Sequence, residues 1–210
     1  MITVLVTGFG AFPGVKNNPS EALMRHLAAR RDRFARLGIR LETHVLPVVY
    51  QGLAARLASL ADETKPDAIL HFGVAARRKI ISVETRAHNR RRLGAADAQG
   101  ERPASGRIDL NGPETIAVRI PAAQIVAKIR RAGIAAALSH DAGRYLCNAT
   151  LYETLRGRLP AGFVHIPLPG RDHMRLDFAD IAAAAEIAII AVAAYHRQTQ
   201  SVMPASRCGT

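Results

Sequence analysis

The chain predicts an α/β fold, a single three-layer α/β/α domain around a twisted, mostly parallel sheet. Short apolar runs of strand length alternate with longer segments that carry helix caps. Those runs are apolar throughout, with no polar alternation, as strands covered by helices on both faces read. A length of 210 residues with 49% hydrophobic and 22% charged residues suits one domain with its own core, and sets aside fibrous, collagen-like and wholly disordered classes. The expected organisation is a domain over residues 1–197 and a flexible tail over residues 198–210.

Thr3 to Thr7 is a β-branched run ending at Gly8, a buried strand that enters a glycine-containing loop up to Asn17. Asn18-Pro19-Ser20-Glu21 then starts a helix, with Asn as N-cap, Pro where its missing N–H costs nothing, and Glu three residues after the cap. Gly38 closes it. Strand Leu41–Leu46, helix Gly52–Asp62 and strand Ala68–Phe72 complete a βαβαβ rhythm. Ile80 to Ala87 reads as another strand. Asn89 to Pro113 is rich in Arg, Gly, Ala and Asp without an apolar period, so it reads as a long irregular loop that covers substrate or forms an interface. Helix Ala122–Arg131, strand Ala135–Ser139, helix Leu146–Arg156, strand Phe163–Ile166 and helix Leu176–Arg197 continue the alternation.

Charge and cysteine usage narrow the setting. The 29 Lys and Arg against 17 Asp and Glu give +12 with His neutral, an excess that suits acidic partners, nucleic acid or an anionic surface without choosing among them. The clustered cations Arg77, Arg78, Lys79, Arg86, Arg90, Arg91 and Arg92 lack aromatic interleaving or a nucleic-acid motif, so they read as solvated loop and no nucleic-acid partner is expected. Two cysteines, Cys147 and Cys208, are too few for a disulfide framework, which favours a reducing, cytoplasmic setting. Met1 to Val6 lacks a secretory leader's basic region and cleavage site, and the apolar stretch Ile187 to Tyr195 is shorter than the roughly 18 residues of a span, so no membrane association is expected.

The most informative segment is Asp141 to Thr150, where a strand passes through a glycine-containing turn into a helix whose first turn holds Cys147. Helix N-terminal N–H groups stabilise a thiolate and can hold an oxyanion, as a cysteine nucleophile requires. His165 stands at the end of a later strand, and parallel strands bring their carboxyl ends to one edge, so the two can converge as nucleophile and base. His71, also near a strand end, is the main rival for the base. Glu84 interrupts an apolar strand and is the candidate for fixing the imidazole tautomer; the alternative is an edge-strand carboxylate facing water or paired with Arg86. The Cys and His spacings contain no zinc-ligand pattern, so no metal and no cofactor is expected.

These residues carry a family resemblance in four blocks: Thr7-Gly8-Phe9-Gly10-Ala11-Phe12 with Asn18-Pro19-Ser20; Glu84 with Ala87 and Asn89; Gly143-Arg144-Tyr145-Leu146-Cys147-Asn148; and Gly162-Phe163-Val164-His165-Ile166-Pro167. In order and approximate spacing the chain resembles the pyroglutamyl peptidase I family of cysteine peptidases over nearly its whole length. The resemblance implies a Glu84–Cys147–His165 triad, with Phe9 and Phe12 enclosing a pyroglutamyl ring and Tyr145 and Leu146 as the apolar wall beside the nucleophile. It implies N-terminally pyroglutamylated peptides as substrates and a homo-oligomer, dimer or tetramer. Cys147 would attack the amide carbonyl, His165 relay the proton and water release pyroglutamate from a thioester.

The chain also departs from the family. Gly73-Val74-Ala75 stands where Gly-Gln-Ala is common, so Val74 serves in its place if the ring contact there is made by backbone and not if it needs the glutamine side chain. Phe9-Gly10-Ala11-Phe12 replaces a commoner Phe-Glu-Pro-Phe, and the stretch from Cys147 to His165 is shorter than usual. A rival from another class is a non-catalytic or specificity-altered relative that acts as a basic protein binding nucleic acid or anions, supported by Val74 and the arginine cluster.

Overall fold

Six strands form the central sheet in the computed structural model, which describes residues 1–12, 14–170 and 176–202. The elements are β1 (Ile2–Phe9), α1 (Pro19–Ala28), α2 (Arg31–Arg36), β2 (Ile39–Leu46), α3 (Leu53–Thr64), β3 (Ala68–Val74), β4 (Ile81–Glu84), β5 (Arg86–His88), β6 (Thr115–Ala117), α4 (Ala122–Arg131), β7 (Ala136–Ser139), α5 (Leu146–Arg156), β8 (Ala161–Ile166) and α6 (Phe178–Val202). The main sheet runs β2-β1-β3-β8-β4-β7, and β5 pairs with β6 apart from it. All neighbours in the main sheet are parallel except β4 and β8, so the expected mostly parallel sheet is found, with β4 and β7 running against the other four strands.

Strand parity divides the core. Val4 and Val6 of β1, Leu70 and Phe72 of β3, Ile81 and Val83 of β4, and Val164 and Ile166 of β8 pack beneath α1, α4 and α6. The alternate residues, Leu5, Phe9, Ile69, Ala161 and Phe163, pack beneath α3 and α5. The inner strands β1, β3, β8 and β4 are therefore covered on both sides, which is why they read as nearly continuous apolar runs, whereas the edge strands β2 and β7 expose residues such as Arg40, Val45 and Leu138. Its polar residues Thr7, His71, Ser82, Glu84 and His165 share the parity of the second face.

Several boundaries differ from the sequence reading. Asn18 caps α1 as expected, its side chain accepting from the Ser20 N–H at 3.0 Å, but Glu21 pairs with Arg25 instead of returning to the cap. The helix expected to continue to Gly38 breaks at residues 29–30, and the second piece buries Phe34 and brings Arg33 within 3.1 Å of Glu186 on α6. The strand expected over Ile80 to Ala87 is two strands. The backbone leaves the main sheet at Thr85, whose N–H makes a last bond to Ser139 of β7 while its carbonyl accepts from Val118, next to β6.

The helix expected to stop at Arg197 continues to Val202, so residues 198–202 are helical where a flexible tail was expected, and residues 203–210 lie outside the described residues. By length and composition α6 is apolar enough to cross a membrane, yet more than half of that window is buried in the fold. Ala185, Ala188, Ile189 and Val192 lie in the core, and Glu186 is held by Arg30 and Arg33 at 3.1 Å each, as the core helix of a layered domain requires.

The long segment from Asn89 to Pro113 lacks helix or strand of its own but is pinned by buried side chains. Asn89 accepts from the N–H groups of Ile108 and Asp109 at 2.8 and 2.9 Å, and donates to the carbonyls of Asp109 and Gly112. Asp97 accepts from the N–H groups of Tyr50, Gln99 and Glu101 at 2.9 to 3.0 Å. None of this segment lines the main cavity, which corrects its expected role as a cover; it buttresses the cavity wall instead, Ala96 accepting the Tyr145 hydroxyl at 2.9 Å.

Candidate active site

A cavity of about 630 Å³ opens on the α3/α5 side of the sheet. The lining is apolar at Phe9, Phe12, Val48, Tyr145 and Leu146 and charged at Arg77, Arg78 and Asp141, with Val74, Ala75, Cys147 and His165 also contributing. Seven of the eight sequence-predicted site residues therefore face this cavity, and the eighth, Glu84, is fully buried behind His165.

His165 and Glu84 meet across the one antiparallel pairing. Ser82 of β4 is opposite His165 of β8, and Glu84, two residues on and on the same face, reaches diagonally so that its Oε1 lies 2.7 Å from His165 Nδ1. The expectation that parallel strand ends bring the groups together is thus corrected: β7, which leads to Cys147, and β4, which carries Glu84, run opposite to β8. The edge-strand alternative for Glu84 is also excluded, because β4 is an interior strand and the partner of Glu84 is not Arg86 but Arg78, whose guanidinium donates to Oε1 at 2.7 Å and to the Asp141 carbonyl at 2.7 Å.

Burial pushes the Glu84 carboxyl up, but the hydrogen bond and charge of His165, aided by Ser139 and Arg78, outweigh it and leave Glu84 below its ordinary value. An ionised Glu84 makes Nδ1 the protonated nitrogen of a neutral His165, which leaves Nε2 as the basic atom. Among the described residues Nε2 has no hydrogen-bond partner. Burial lowers the His165 pKa, with Glu84 raising it and Arg78 lowering it further.

Cys147 is the second residue of α5, after an Asp141 side chain that accepts from the Gly143 N–H at 2.9 Å and a Gly143 at φ +83°, a turn that favours glycine. The N-cap residue Tyr145 makes no side-chain capping bond, and Leu146 and Cys147 of the first turn line the cavity. The expected lowering of the thiol pKa is not what the surroundings produce. Although part of Cys147 is accessible from the cavity, its sulfur sits among enough protein that burial, with the Glu84 charge, raises the thiol to about 12; its own backbone N–H and Arg78 pull the other way. Both groups therefore rest neutral, a thiol and an imidazole lining the same cavity. Cys208 lies outside the described residues.

Sequence reasoning missed Gly73. Its backbone pairs with His165, and a Cβ there would stand 3.0 Å from Cys147 Sγ and 2.7 Å from the Phe163 ring, so the bare glycine makes room for the sulfur. It also missed Arg78, for which the only signal was a cation six residues before a strand carboxylate. The rival base His71 is fully buried between Thr7 Oγ1 at 2.7 Å and Thr154 Oγ1 at 3.0 Å, and burial takes its pKa down to about 3, so it is a neutral core residue. The arginine cluster is dispersed as well: Arg78 binds Glu84, while Arg91 lies over the Tyr50 ring at 5.9 Å. Asn148, beside the nucleophile, binds the backbone of His88 and Arg90.

A thiol that can take an acyl group and a carboxylate-held imidazole that can move one proton, on a helix-covered mixed sheet, define the class as a cysteine hydrolase. A family model described as pyroglutamyl peptidase matches residues 2–195, so the chain belongs to the pyroglutamyl peptidase family. It is 33% identical over 198 residues to the pyrrolidone-carboxylate peptidase of Chromobacterium violaceum, covering 90% of this chain and 91% of that protein. Against solved structures it matches Bacillus amyloliquefaciens pyroglutamyl peptidase I with TM-score 0.83 and 29% identity, covering 93% of this chain and 98% of that one. The Thermococcus litoralis pyrrolidone carboxyl peptidase matches with TM-score 0.86 and 27% identity, covering 95% and 96%.

Proposed function

We propose that the chain hydrolyses the amide bond after an N-terminal pyroglutamyl residue, with Cys147 as nucleophile, His165 as base and then acid, and Glu84 orienting His165. The observation that carries this is the 2.7 Å bond from Glu84 to His165 Nδ1 behind a cavity that His165 and Cys147 line together. The lactam ring is small and uncharged, and it suits the wall of Phe9, Phe12, Tyr145 and Leu146, with backbone near Val74 for its polar edge.

As Sγ of Cys147 bonds to the carbonyl carbon, Nε2 of His165 takes the thiol proton, and the N–H groups at the start of α5 face the developing oxyanion. Cleavage of the C–N bond sends that proton from His165 to the departing amine. The thioester left on Cys147 is then hydrolysed by water that gives its proton to His165, which frees pyroglutamate and restores the thiol. Because both groups rest neutral, proton transfer accompanies attack instead of preceding it, and the Glu84 carboxylate stabilises the transient imidazolium.

Release of aminomethylcoumarin from its pyroglutamyl amide under reducing conditions tests the proposal. Wild type turns over and Cys147→Ala loses activity by several orders of magnitude while keeping its fold; a silent wild type, or an active Cys147→Ala, overturns it. Two further expectations belong to this proposal: a homo-oligomer, checked by sedimentation, and a cytoplasmic setting, which suits a nucleophile that must stay reduced and is checked by cell fractionation.

A further inference from the structure

Beyond the lactam-binding wall, the cavity continues as a second recess of about 240 Å³ lined by Ala76, Arg77, Arg78, Lys79 and Leu168. The two share Ala76, Arg77 and Arg78, so they are adjoining spaces. In the proposed reaction His165 hands its proton to the departing amine, and the departing peptide therefore leaves on the side of His165, where Glu84 and Arg78 stand. The chain turns there, the Arg78 N–H bonding to the Ala75 carbonyl at 2.8 Å, and Arg77 and Lys79 project as exposed cations on either side of Arg78. Arg78 is spent on Glu84 and the Asp141 carbonyl, whereas Arg77 and Lys79 have no carboxylate partner among the described residues. Among the described residues Asp141 is the acidic group lining the adjoining main cavity, and its Oδ1 is engaged by the Gly143 N–H.

We infer that Arg77 and Lys79 form a carboxylate-binding subsite for the peptide that follows pyroglutamate, so that the enzyme prefers substrates with a negative charge just after the scissile bond. This rests on the proposed function. The carboxylate is an acidic side chain or the free C-terminus of a dipeptide, and both present the same group to two cations.

Four substrates separate these sources: pyroglutamyl-Asp amide against pyroglutamyl-Asn amide, and pyroglutamyl-Ala against its amide. The ratio of kcat/KM within each pair cancels effects common to both members. Wild type at low salt favours the charged member by about two- to fivefold in at least one pair, the scale of an exposed ion pair, and the ratio shrinks in 1 M salt. Arg77→Gln with Lys79→Gln brings the ratio to about one, and Arg77→Glu inverts it. A wild-type ratio of one or below in both pairs, or a preference that survives the double substitution, overturns the subsite while leaving the peptidase reading intact. Failure to cleave any of the four overturns that reading and the subsite with it.

Discussion

Replacing Gly73 with Ala places one carbon in the least forgiving part of the site. A Cβ there would lie 2.7 and 3.1 Å from two atoms of the Phe163 ring and 3.0 Å from Cys147 Sγ. Phe163 is fully buried between Phe9, His71 and His165, with ring centroids 6.2, 6.1 and 4.7 Å away, so it has no free side to yield toward. Either the ring presses on His165 or the sulfur moves away from the carbonyl it must attack. Overpacking of this kind costs about 1–3 kcal/mol, which in a chain of this size lowers Tm by roughly 2–12 °C. Since about 1 Å of misplacement can cost 10²-fold in rate, a shift of a few tenths of an ångström to an ångström predicts kcat/KM lower by about 10- to 100-fold. The assay pairs pyroglutamyl-aminomethylcoumarin kinetics with a thermal melt, and iodoacetamide labelling confirms that Cys147 is still reachable. Wild-type kcat/KM with an unchanged melt would refute the claim that this glycine makes room for the sulfur.

Glu84→Gln keeps the shape but removes the charge that fixes the His165 tautomer, and kcat is expected to fall by about 10²–10⁴-fold; a loss confined to KM would count against the role. Alkylation of Cys147 by iodoacetamide in the free enzyme should keep rising through pH 9, because burial holds the thiol well above its ordinary value, and a plateau near pH 7 would show a preformed thiolate. Arg78→Met removes a cation that disfavours the imidazolium, so the acid limb of kcat/KM should move to higher pH; an unmoved limb contradicts the contact. His71 has an ordinary pKa of 6.5 and a folded value of about 3, so the unfolded chain binds the extra proton and stability falls as pH drops below 6.5. Urea unfolding should show this histidine costing roughly 2 kcal/mol between pH 6.5 and 4.5, with a smaller pH slope in His71→Asn.

Much of the fold was legible because burial on both sheet faces leaves a local trace. The inner strands β1, β3, β4 and β8 appear in the sequence as mainly apolar or β-branched runs, and Asn18-Pro19 marks a helix start by chemistry that needs no distant partner. What was illegible depends on partners remote in sequence. Nothing around Thr85 says that the chain leaves the main sheet there, since its carbonyl is taken by the remote Val118. The thiol pKa is a similar case: the helix N-terminus beside Cys147 is local and argues for lowering, whereas the burial that wins comes from elements far along the chain.

The chemical inventory of the site belongs to the sequence by itself: a thiol at a helix start, an imidazole and a carboxylate in strands, and aromatics after the first strand. Strand parity, also written in the sequence, commits Phe9, Gly73, Glu84 and His165 to one face once their strands pair. The tertiary structure alone decided that β4 lies antiparallel beside β8, which brings Glu84 to His165, that Arg78 and not Arg86 holds the carboxylate, and that Gly73 opens the space for sulfur. The reason is physical: periodicity and capping act over a few residues and leave their mark on composition, while pairing direction, dielectric and close packing arise between segments that only folding brings together.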